Sequence, residues 1–262
     1  MSLPETTLAE LRELMARYPQ PRSALLPMLH LVQSVEGSVT AEGIETCAGL
    51  LGLTAAEVSG VATFYTMYKR RPMGRHHVGV CTNTLCAVLG GDAILERLQE
   101  HLEVGNDETT ADGAITLEHI ECNAACDYAP VVTVNWEFMD DQTPESAVEL
   151  VDRLRAGERV CSTRGAEITS WREAERVLAG FEDGRADEGP TAGHASLAGL
   201  QIARERGWAA PQYPEVASGD RADATSKDEA VAGADTQRAE TETVAEESAA
   251  EVRGRERADD DD

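Results

Sequence analysis

The sequence predicts an α/β domain over residues 75–160, preceded by a small helical bundle over residues 1–74. A C-terminal extension with short helices is expected over residues 161–210, and a disordered acidic tail over residues 211–262. Three observations support this division. Apolar residues recur at helical spacing in the first segment, short β-branched runs alternate with helical patterns in the second, and bulky apolar residues become rare at the C-terminus.

Helix start and stop signals divide the N-terminal segment into four short helices. Two capping boxes, at Thr7 and at Thr54, each have a Glu three residues later and predict the starts of the first and fourth helices. The second helix is expected to begin near Ser23 and to end at Gly37, and the third to span about residues 41–50. Four such helices indicate a small bundle or an arm that packs on a partner.

The next segment alternates between strand and helix patterns. Thr143, a good N-cap, precedes Pro144 and predicts a helix start. The expected elements are strands at about 76–80, 115–120 and 131–135, helices at 88–102 and 145–155, a further helix capped by Ser170 with Glu173, and a last one at about 197–208. This order of elements (strand, helix, strand, strand, helix) is typical of a sheet covered by helices. The sequence therefore predicts the α/β class.

Composition excludes several classes of partner. The chain has 262 residues, a formal net charge of −25, and 4% aromatic residues. This charge argues against nucleic acid and against an anionic membrane surface, because both are bound through Lys and Arg. No apolar run reaches the roughly 18 residues of a membrane span, and the first residues do not resemble a secretory signal. We therefore expect a soluble cytoplasmic protein whose six cysteines stay reduced.

The acidic excess is strongest in the C-terminal segment. Residues 211–262 contain 16 Asp and Glu but only 6 Lys and Arg, and from Ala217 onward Val is their only bulky aliphatic residue. A segment with so little apolar surface cannot offset the entropy of ordering its backbone, so it is predicted to be disordered.

Four cysteines form two pairs, and each pair directly follows a predicted strand. They are Cys81 and Cys86 in the first loop, and Cys122 and Cys126 in the second. Adjacent strands of one sheet would bring both loops to one edge, where four thiolates need a cation to overcome their mutual repulsion. The remaining cysteines, Cys47 and Cys161, are expected to be small buried apolar residues.

The gaps within the two pairs, four residues and three, favour an iron–sulfur cluster. Structural zinc usually takes cysteines two residues apart, with four as the upper end, whereas a four-residue gap is also found in plant-type [2Fe-2S] proteins. Longer gaps let each loop wrap one iron and direct backbone N–H groups at the sulfurs. Zinc and a thiol–disulfide site remain alternatives, the second weakened because no Cys-x-x-Cys is present.

The cysteine pattern resembles that of the thioredoxin-like [2Fe-2S] ferredoxin subunit of bacterial respiratory complex I, the NADH:quinone oxidoreductase. Its two cluster loops are similar to residues 80–86 and 121–130, and the segment ahead of its ferredoxin domain is similar to residues 61–68. The resemblance covers about residues 8–160. The family pattern leads us to expect a glycine near position 124, and Asn123 is the residue that could supply a positive φ in its place.

The resemblance implies one bound [2Fe-2S] cluster, with Cys81 and Cys86 on one iron and Cys122 and Cys126 on the other. It implies an electron carrier within an oxidoreductase complex, without catalytic residues of its own. The carrier would exchange single electrons with the flavin of an adjacent subunit, which alone holds FMN and NADH. It also implies contact with other peripheral-arm subunits at the cytoplasmic face of the inner membrane, without insertion into the membrane.

Two alternatives remain open from the four cysteines alone. The same type of subunit occurs in NAD-linked hydrogenases and formate dehydrogenases. A zinc-bound module that only scaffolds other proteins would use the same four residues.

Overall fold

The computed structural model describes residues 3–186, 188–189 and 193–210. Residues up to Gly207 form one unit and a second begins at Trp208. The predicted acidic tail lies outside the described residues. The helices are α1 (Glu5–Ala16), α2 (Leu25–Glu36), α3 (Ala41–Leu51), α4 (Ala55–Phe64), α5 (Thr84–Val88), α6 (Gly91–Leu102), α7 (Pro144–Arg155), α8 (Trp171–Leu178) and α9 (His194–Glu205). The strands are β1 (His76–Cys81), β2 (Glu108–Thr109), β3 (Ile115–Ile120), β4 (Val132–Val134) and β5 (Glu137–Met139), with short 3-10 turns at Pro21–Ala24 and Cys126–Tyr128.

The N-terminal helices follow the predicted order, and their ends have local causes. Thr54 caps α4 in a complete capping box with Glu57, and Gly37 ends α2 in the left-handed conformation, both as predicted. The predicted start of α1 was wrong. Pro4 occupies the N-cap position with an extended backbone, and Thr7 lies inside the helix with its side chain buried in the protein. A threonine that packs inward cannot also cap the helix.

Helix α8 packs against α2, so the C-terminal extension contributes to the N-terminal helical layer. Ala179, directly after α8, belongs to the same apolar core as the buried residues of α1 to α4. Glu175 on α8 is fully buried. Its carboxylate lies 2.6 Å from His30 Nδ1 and accepts a hydrogen bond of 2.7 Å from Gln33 Nε2, both on α2. These bonds compensate the desolvation of the buried polar group.

The same polar network continues into the sheet. Gln33 Oε1 accepts a hydrogen bond from the backbone N–H of Lys69, and the Lys69 ammonium pairs with Glu118 on β3. Glu118 Oε2 also lies 2.5 Å from His77 Nε2 on β1. Burial opposes ionisation of Glu118, but the hydrogen bonds from His77 and Lys69 outweigh it and hold the pKa of its carboxyl below the usual value. Trp136 packs on the His77 ring, and its indole N–H donates a hydrogen bond to the carboxylate of Glu175 on α8.

The sheet has the strand order β2-β3-β1-β4-β5. Strands β1 and β3 are parallel and in register from His76 opposite Ile115 to Cys81 opposite Ile120, and the other pairs are antiparallel. Because parallel neighbours end at the same edge, the loops after β1 and β3 leave the sheet side by side. The apolar core of the sheet is formed by buried residues of β1, β3, β4, α6 and α7.

The helix predicted over 88–102 corresponds to α6, which begins at Gly91, and the short helix α5 ahead of it was not predicted. The chain turns between them at Gly90, which has a φ of +110°. A methyl group on the next residue, Gly91, would lie 2.4 Å from the carbonyl oxygen of Cys81. Glycine permits both the positive φ and the close approach, and the prediction of a helix start at Val88 missed this use of the Gly-Gly pair.

Two strands were absent from the sequence prediction. Strand β5 pairs with β4 through a two-residue turn in which Asn135 and Trp136 have φ values of +50° and +74°. Positive φ at both central residues is the type I′ geometry of tight hairpins, here without the glycine that usually signals it. Strand β2 has only two residues and pairs with β3 at the sheet edge.

Within the described ranges, no single helix is long and apolar enough to cross a membrane. Helices α3 and α4 reach that length and composition only when taken together, and they bend by 119° where they join.

Candidate metal centre

The first cysteine pair is buried where β1 ends. Cys81 is the last residue of β1 and is 3% exposed, and Cys86 on α5 is 2% exposed. The backbone N–H of Cys81 donates to Val131 O at 3.1 Å, which ties the segment before β4 to this loop. Gly91 packs directly on the carbonyl groups of both cysteines. The first loop is therefore held from two sides by backbone contacts.

The second cysteine pair is exposed in the loop between β3 and β4. Cys122 follows β3 by two residues, and Cys126 begins the 3-10 turn. Their Sγ atoms are 3.7 Å apart, well beyond the roughly 2.05 Å of a disulfide. The distance matches the edge of a tetrahedron whose centre is a metal ion about 2.3 Å from each sulfur. These two sulfurs can therefore occupy two corners of the coordination tetrahedron around one metal ion.

Ala124, between the two exposed cysteines, has a φ of +57°. The positive φ of this loop thus falls on Ala124, and the prediction that Asn123 would supply it was wrong. In this conformation the Ala124 N–H donates to Cys122 Sγ at 3.4 Å, and this hydrogen bond closes the turn. The left-handed conformation costs a residue with a Cβ about 1–2 kcal/mol.

Asn83 links the first loop to the second. Its amide orientation is assigned from the surrounding donors and acceptors. In that orientation Oδ1 accepts from the Cys122 N–H at 3.1 Å and Nδ2 donates to the Glu121 carboxylate at 3.2 Å. One side chain beside Cys81 thus fixes the backbone at Cys122. The sequence showed only a small polar residue here, because its partners lie in the loop after a different strand.

The thiols of the two pairs influence one another electrostatically. Burial, together with the neighbouring Cys81 and Cys126, raises the pKa of the Cys86 thiol to about 11, against a backbone hydrogen bond from Val131 that lowers it. The hydrogen bond with Cys122 and then burial raise the pKa of Cys126, and the charges of Cys81 and Asp127 add to this. The structure therefore brings the two cysteine pairs within electrostatic range of each other at one edge of the sheet, and without a cation the thiols of Cys86 and Cys126 favour the protonated form.

This set of donors fits a group with two metal ions bound by thiolates. Two pairs of sulfurs offer two bonds to each of two irons. Among the described residues, no group of three or more His, Cys, Asp and Glu side chains converges on a site for one ion. The segment between β3 and β4 also directs a backbone N–H at a sulfur of each pair, from Ala124 to Cys122 and from Val131 to Cys86. Such hydrogen bonds stabilise negative charge on the sulfurs.

The two remaining cysteines differ in exposure. Cys47 on α3 is fully buried, as predicted, and burial raises the pKa of its thiol to about 12. Cys161 is exposed, so the prediction that it is buried was wrong. Val160 fills the core at this point, and in extended chain the next side chain faces the other way.

Comparison with known proteins shows the same chemistry. Residues 11–155 match the family described as thioredoxin-like [2Fe-2S] ferredoxin. An NADH-quinone oxidoreductase subunit of Mycobacterium tuberculosis is 60% identical over 218 residues, covering 81% of this chain and 86% of the relative. An NADH-quinone oxidoreductase subunit of Rhizobium meliloti is 37% identical over 161 residues, covering 62% and 96%. A third such subunit, from Thermus thermophilus, is 39% identical over 153 residues, covering 57% and 84%.

The matched range contains both cysteine loops, the whole sheet and most of the N-terminal helical layer. It spans more than half of the chain, and the Mycobacterium tuberculosis relative is identical at most of its aligned positions. The chain belongs to the thioredoxin-like [2Fe-2S] ferredoxin family, as the spacing of its cysteines predicted.

Proposed function

We propose that this chain is the electron-transfer subunit of an NADH:quinone oxidoreductase and binds one [2Fe-2S] cluster. Cys81 and Cys86 hold one iron, and Cys122 and Cys126 hold the other. The observation that carries the proposal is the convergence of two cysteine pairs at one edge of the sheet. It occurs in a chain that is 60% identical to an NADH-quinone oxidoreductase subunit of Mycobacterium tuberculosis.

The cluster, when bound, supplies one-electron chemistry, and the chain supplies ligands, burial and electrostatics. The four thiolates give the site a negative charge, and Asp127 adds another beside Cys126. This negative charge opposes the addition of an electron. We therefore expect a reduction potential nearer the plant-type value of about −400 mV than the Rieske range. The N–H groups of Ala124 and Val131 act in the other direction by stabilising charge on sulfur.

The partner in electron exchange is the flavin of the adjacent NADH-binding subunit, which alone holds FMN and NADH. The second cysteine pair is open to such a partner because Cys122 and Cys126 are exposed. Beside the first pair, α5 presents Leu85 and Val88, which are 44% and 78% exposed. The chain then lies peripherally at the cytoplasmic face of the inner membrane, attached through the complex and with other peripheral-arm subunits as neighbours.

Metal analysis and a visible spectrum of the full chain, purified without oxygen, test the cofactor. We expect about two irons and two sulfides per chain, the content of one [2Fe-2S] cluster. Cys122→Ser should bleach or shift the spectrum, while Cys161→Ser, a change at an exposed cysteine outside the site, should not. A colourless protein with one zinc per chain, obtained with iron and assembly factors present, would show a scaffolding module instead.

Reduction by NADH tests the partner. The isolated chain should not be reduced by NADH, and addition of the flavin-binding partner should allow NADH to reduce the cluster. Reduction by NADH without any flavin-binding partner, or no reduction in its presence, would contradict this assignment.

A further inference from the structure

We propose that helix α9 of the C-terminal extension is a clamp on the second cysteine loop. It fixes Asp127 and Tyr128, which directly follow the ligand Cys126, and so slows the loss of the cluster. This inference rests on the proposed function of that loop as an iron-binding segment. Helix α9 lies outside the range that matches the ferredoxin family, so the clamp is an addition to the shared fold.

The first turn of α9 makes two hydrogen bonds to the cysteine loop. The backbone N–H of Ala195 donates to Tyr128 Oη at 3.0 Å. The Ser196 hydroxyl donates to the carboxylate of Asp127. An N–H in the first turn of a helix has no partner within the helix, so Tyr128 satisfies a group that would otherwise need water. Both bonds join residues that are more than 60 positions apart in the chain.

The N-cap of α9 requires a glycine because of the same tyrosine. A methyl group on Gly193 would lie 2.1 Å from Tyr128 Oη and 2.8 Å from its ring carbon Cζ. The φ of Gly193 is −77°, which any residue can adopt, so the requirement is for space and not for an unusual backbone. Tyr128 therefore fits against α9 only where no side chain intervenes.

The loop is also held by the main fold. The Tyr128 carbonyl accepts a hydrogen bond of 2.9 Å from the Asp141 N–H, and Pro130 O accepts one of 3.0 Å from Gln142. The turn after Cys126 is thus attached both to the connection from β5 to α7 and to α9. With α9 displaced, only one of these two attachments remains.

The second loop needs such support more than the first. Cys81 and Cys86 are buried and backed by Gly91, whereas Cys122 and Cys126 are exposed. Water and chelators reach the exposed pair first, so the stiffness of its loop controls how easily its iron departs.

The test compares one methyl group at two positions of α9 in the full chain loaded with its cluster. Gly193→Ala should displace Tyr128, whereas a Cβ at Gly199 meets nothing within 4 Å and Gly199→Ala is the matched control. Excess EDTA is added, and bleaching of the visible absorbance gives the rate of cluster loss. We expect loss about fivefold faster in Gly193→Ala, the factor that one hydrogen bond is worth. Visible circular dichroism, which reports the arrangement of sulfurs around iron, should change in this variant alone.

The outcomes separate the clamp from the proposed function. Wild-type rates and dichroism in Gly193→Ala, or equal acceleration in both variants, would overturn the clamp while leaving the cluster in place. A wild-type chain that holds zinc and shows no visible absorbance would instead refute the proposed function. If Gly193→Ala does not yield folded protein, Ser196→Ala decides, since faster bleaching supports the clamp and an unchanged rate contradicts it.

Discussion

Gly91, the first residue of α6, packs on the backbone of Cys81 so closely that an added methyl group would lie 2.4 Å from the Cys81 carbonyl oxygen. The same methyl group would lie 2.9 Å from the carbonyl oxygen of Cys86. Both neighbours are backbone atoms, which cannot rotate away as a flexible side chain can. The close packing at Gly91 therefore helps to fix the position of α6 against the first cysteine loop.

Gly91→Ala should destabilise the fold by about 1–3 kcal/mol, the usual cost of overpacking, and lower the cluster content. The free energy of unfolding in denaturant and the visible absorbance per chain measure these two effects. Gly60→Ala on α4 is the matched control, because a Cβ there meets nothing within 4 Å. Equal behaviour of the two variants would show that the contact with Cys81 does not restrict the loop.

Ala124→Gly should stabilise the chain by about 0.5–1 kcal/mol. The left-handed conformation costs alanine about 1–2 kcal/mol of folding free energy, and glycine avoids this cost. The greater conformational freedom of glycine in the unfolded chain offsets part of the resulting stabilisation. The neighbouring change Ala125→Gly, at a residue with a φ of −101°, has no such strain to relieve and should destabilise. Chemical unfolding of both variants checks the sign, and a loss of stability in Ala124→Gly would contradict strain at this position.

Asp127→Asn should raise the reduction potential of the cluster. The Asp127 charge raises the pKa of Cys126, so it also opposes each further negative charge at the site. A potentiometric titration followed by electron paramagnetic resonance measures the shift. Glu149→Gln, which removes a carboxylate on α7, controls for the change in overall charge. A shift of the same size in both variants would mean that only the net charge matters.

Acid should destabilise the fold in part through His76. Burial, and then the charge of Arg75, lower the pKa of His76 to about 4, while in the unfolded chain it is about 6.5. The unfolded chain therefore binds the extra proton first, so stability is complete above pH 6.5 and falls as the pH approaches 4. Between pH 6.5 and 4.5 the loss from this group is about 2 kcal/mol.

His76→Gln removes this titration while retaining an acceptor for the Asn135 amide, which lies 3.2 Å from His76 Nδ1. The stability of the variant should decline less steeply over that pH range than that of the wild type. Unfolding curves at several pH values, recorded for both proteins in the same metal state, provide the comparison. Parallel decline in the two proteins would assign the acid sensitivity to other groups.

Local signals explain why much of the fold could be predicted from the sequence. The caps at Thr54, Thr143 and Ser170 all form as the capping patterns indicated, because a helix start depends on residues within one turn. The four site cysteines were found for a related reason. Each pair directly follows a strand, and parallel pairing of β1 with β3 brings the strand ends together.

Features that depend on distant contacts were not predictable. Strand β5 follows a type I′ turn formed by Asn135 and Trp136. This pair of residue types does not predict such a turn, because the usual glycine is missing. The roles of Asn83 and Tyr128 depend on partners from other elements, so nothing in their own neighbourhood marks them. Thr7 carried a convincing capping pattern, yet its side chain is buried. Packing overrode the local preference.

The bond between His30 and Glu175 joins residues 145 positions apart, near the two ends of the main unit. The ribosome synthesises α2 long before α8. The N-terminal helices therefore lack the packing contact with α8 until most of the chain has been translated. During that interval the face of α2 that α8 will later occupy is open to chaperones or to a neighbouring polypeptide. The order of synthesis thus places both cysteine loops in the nascent chain before the segment that completes the helical layer.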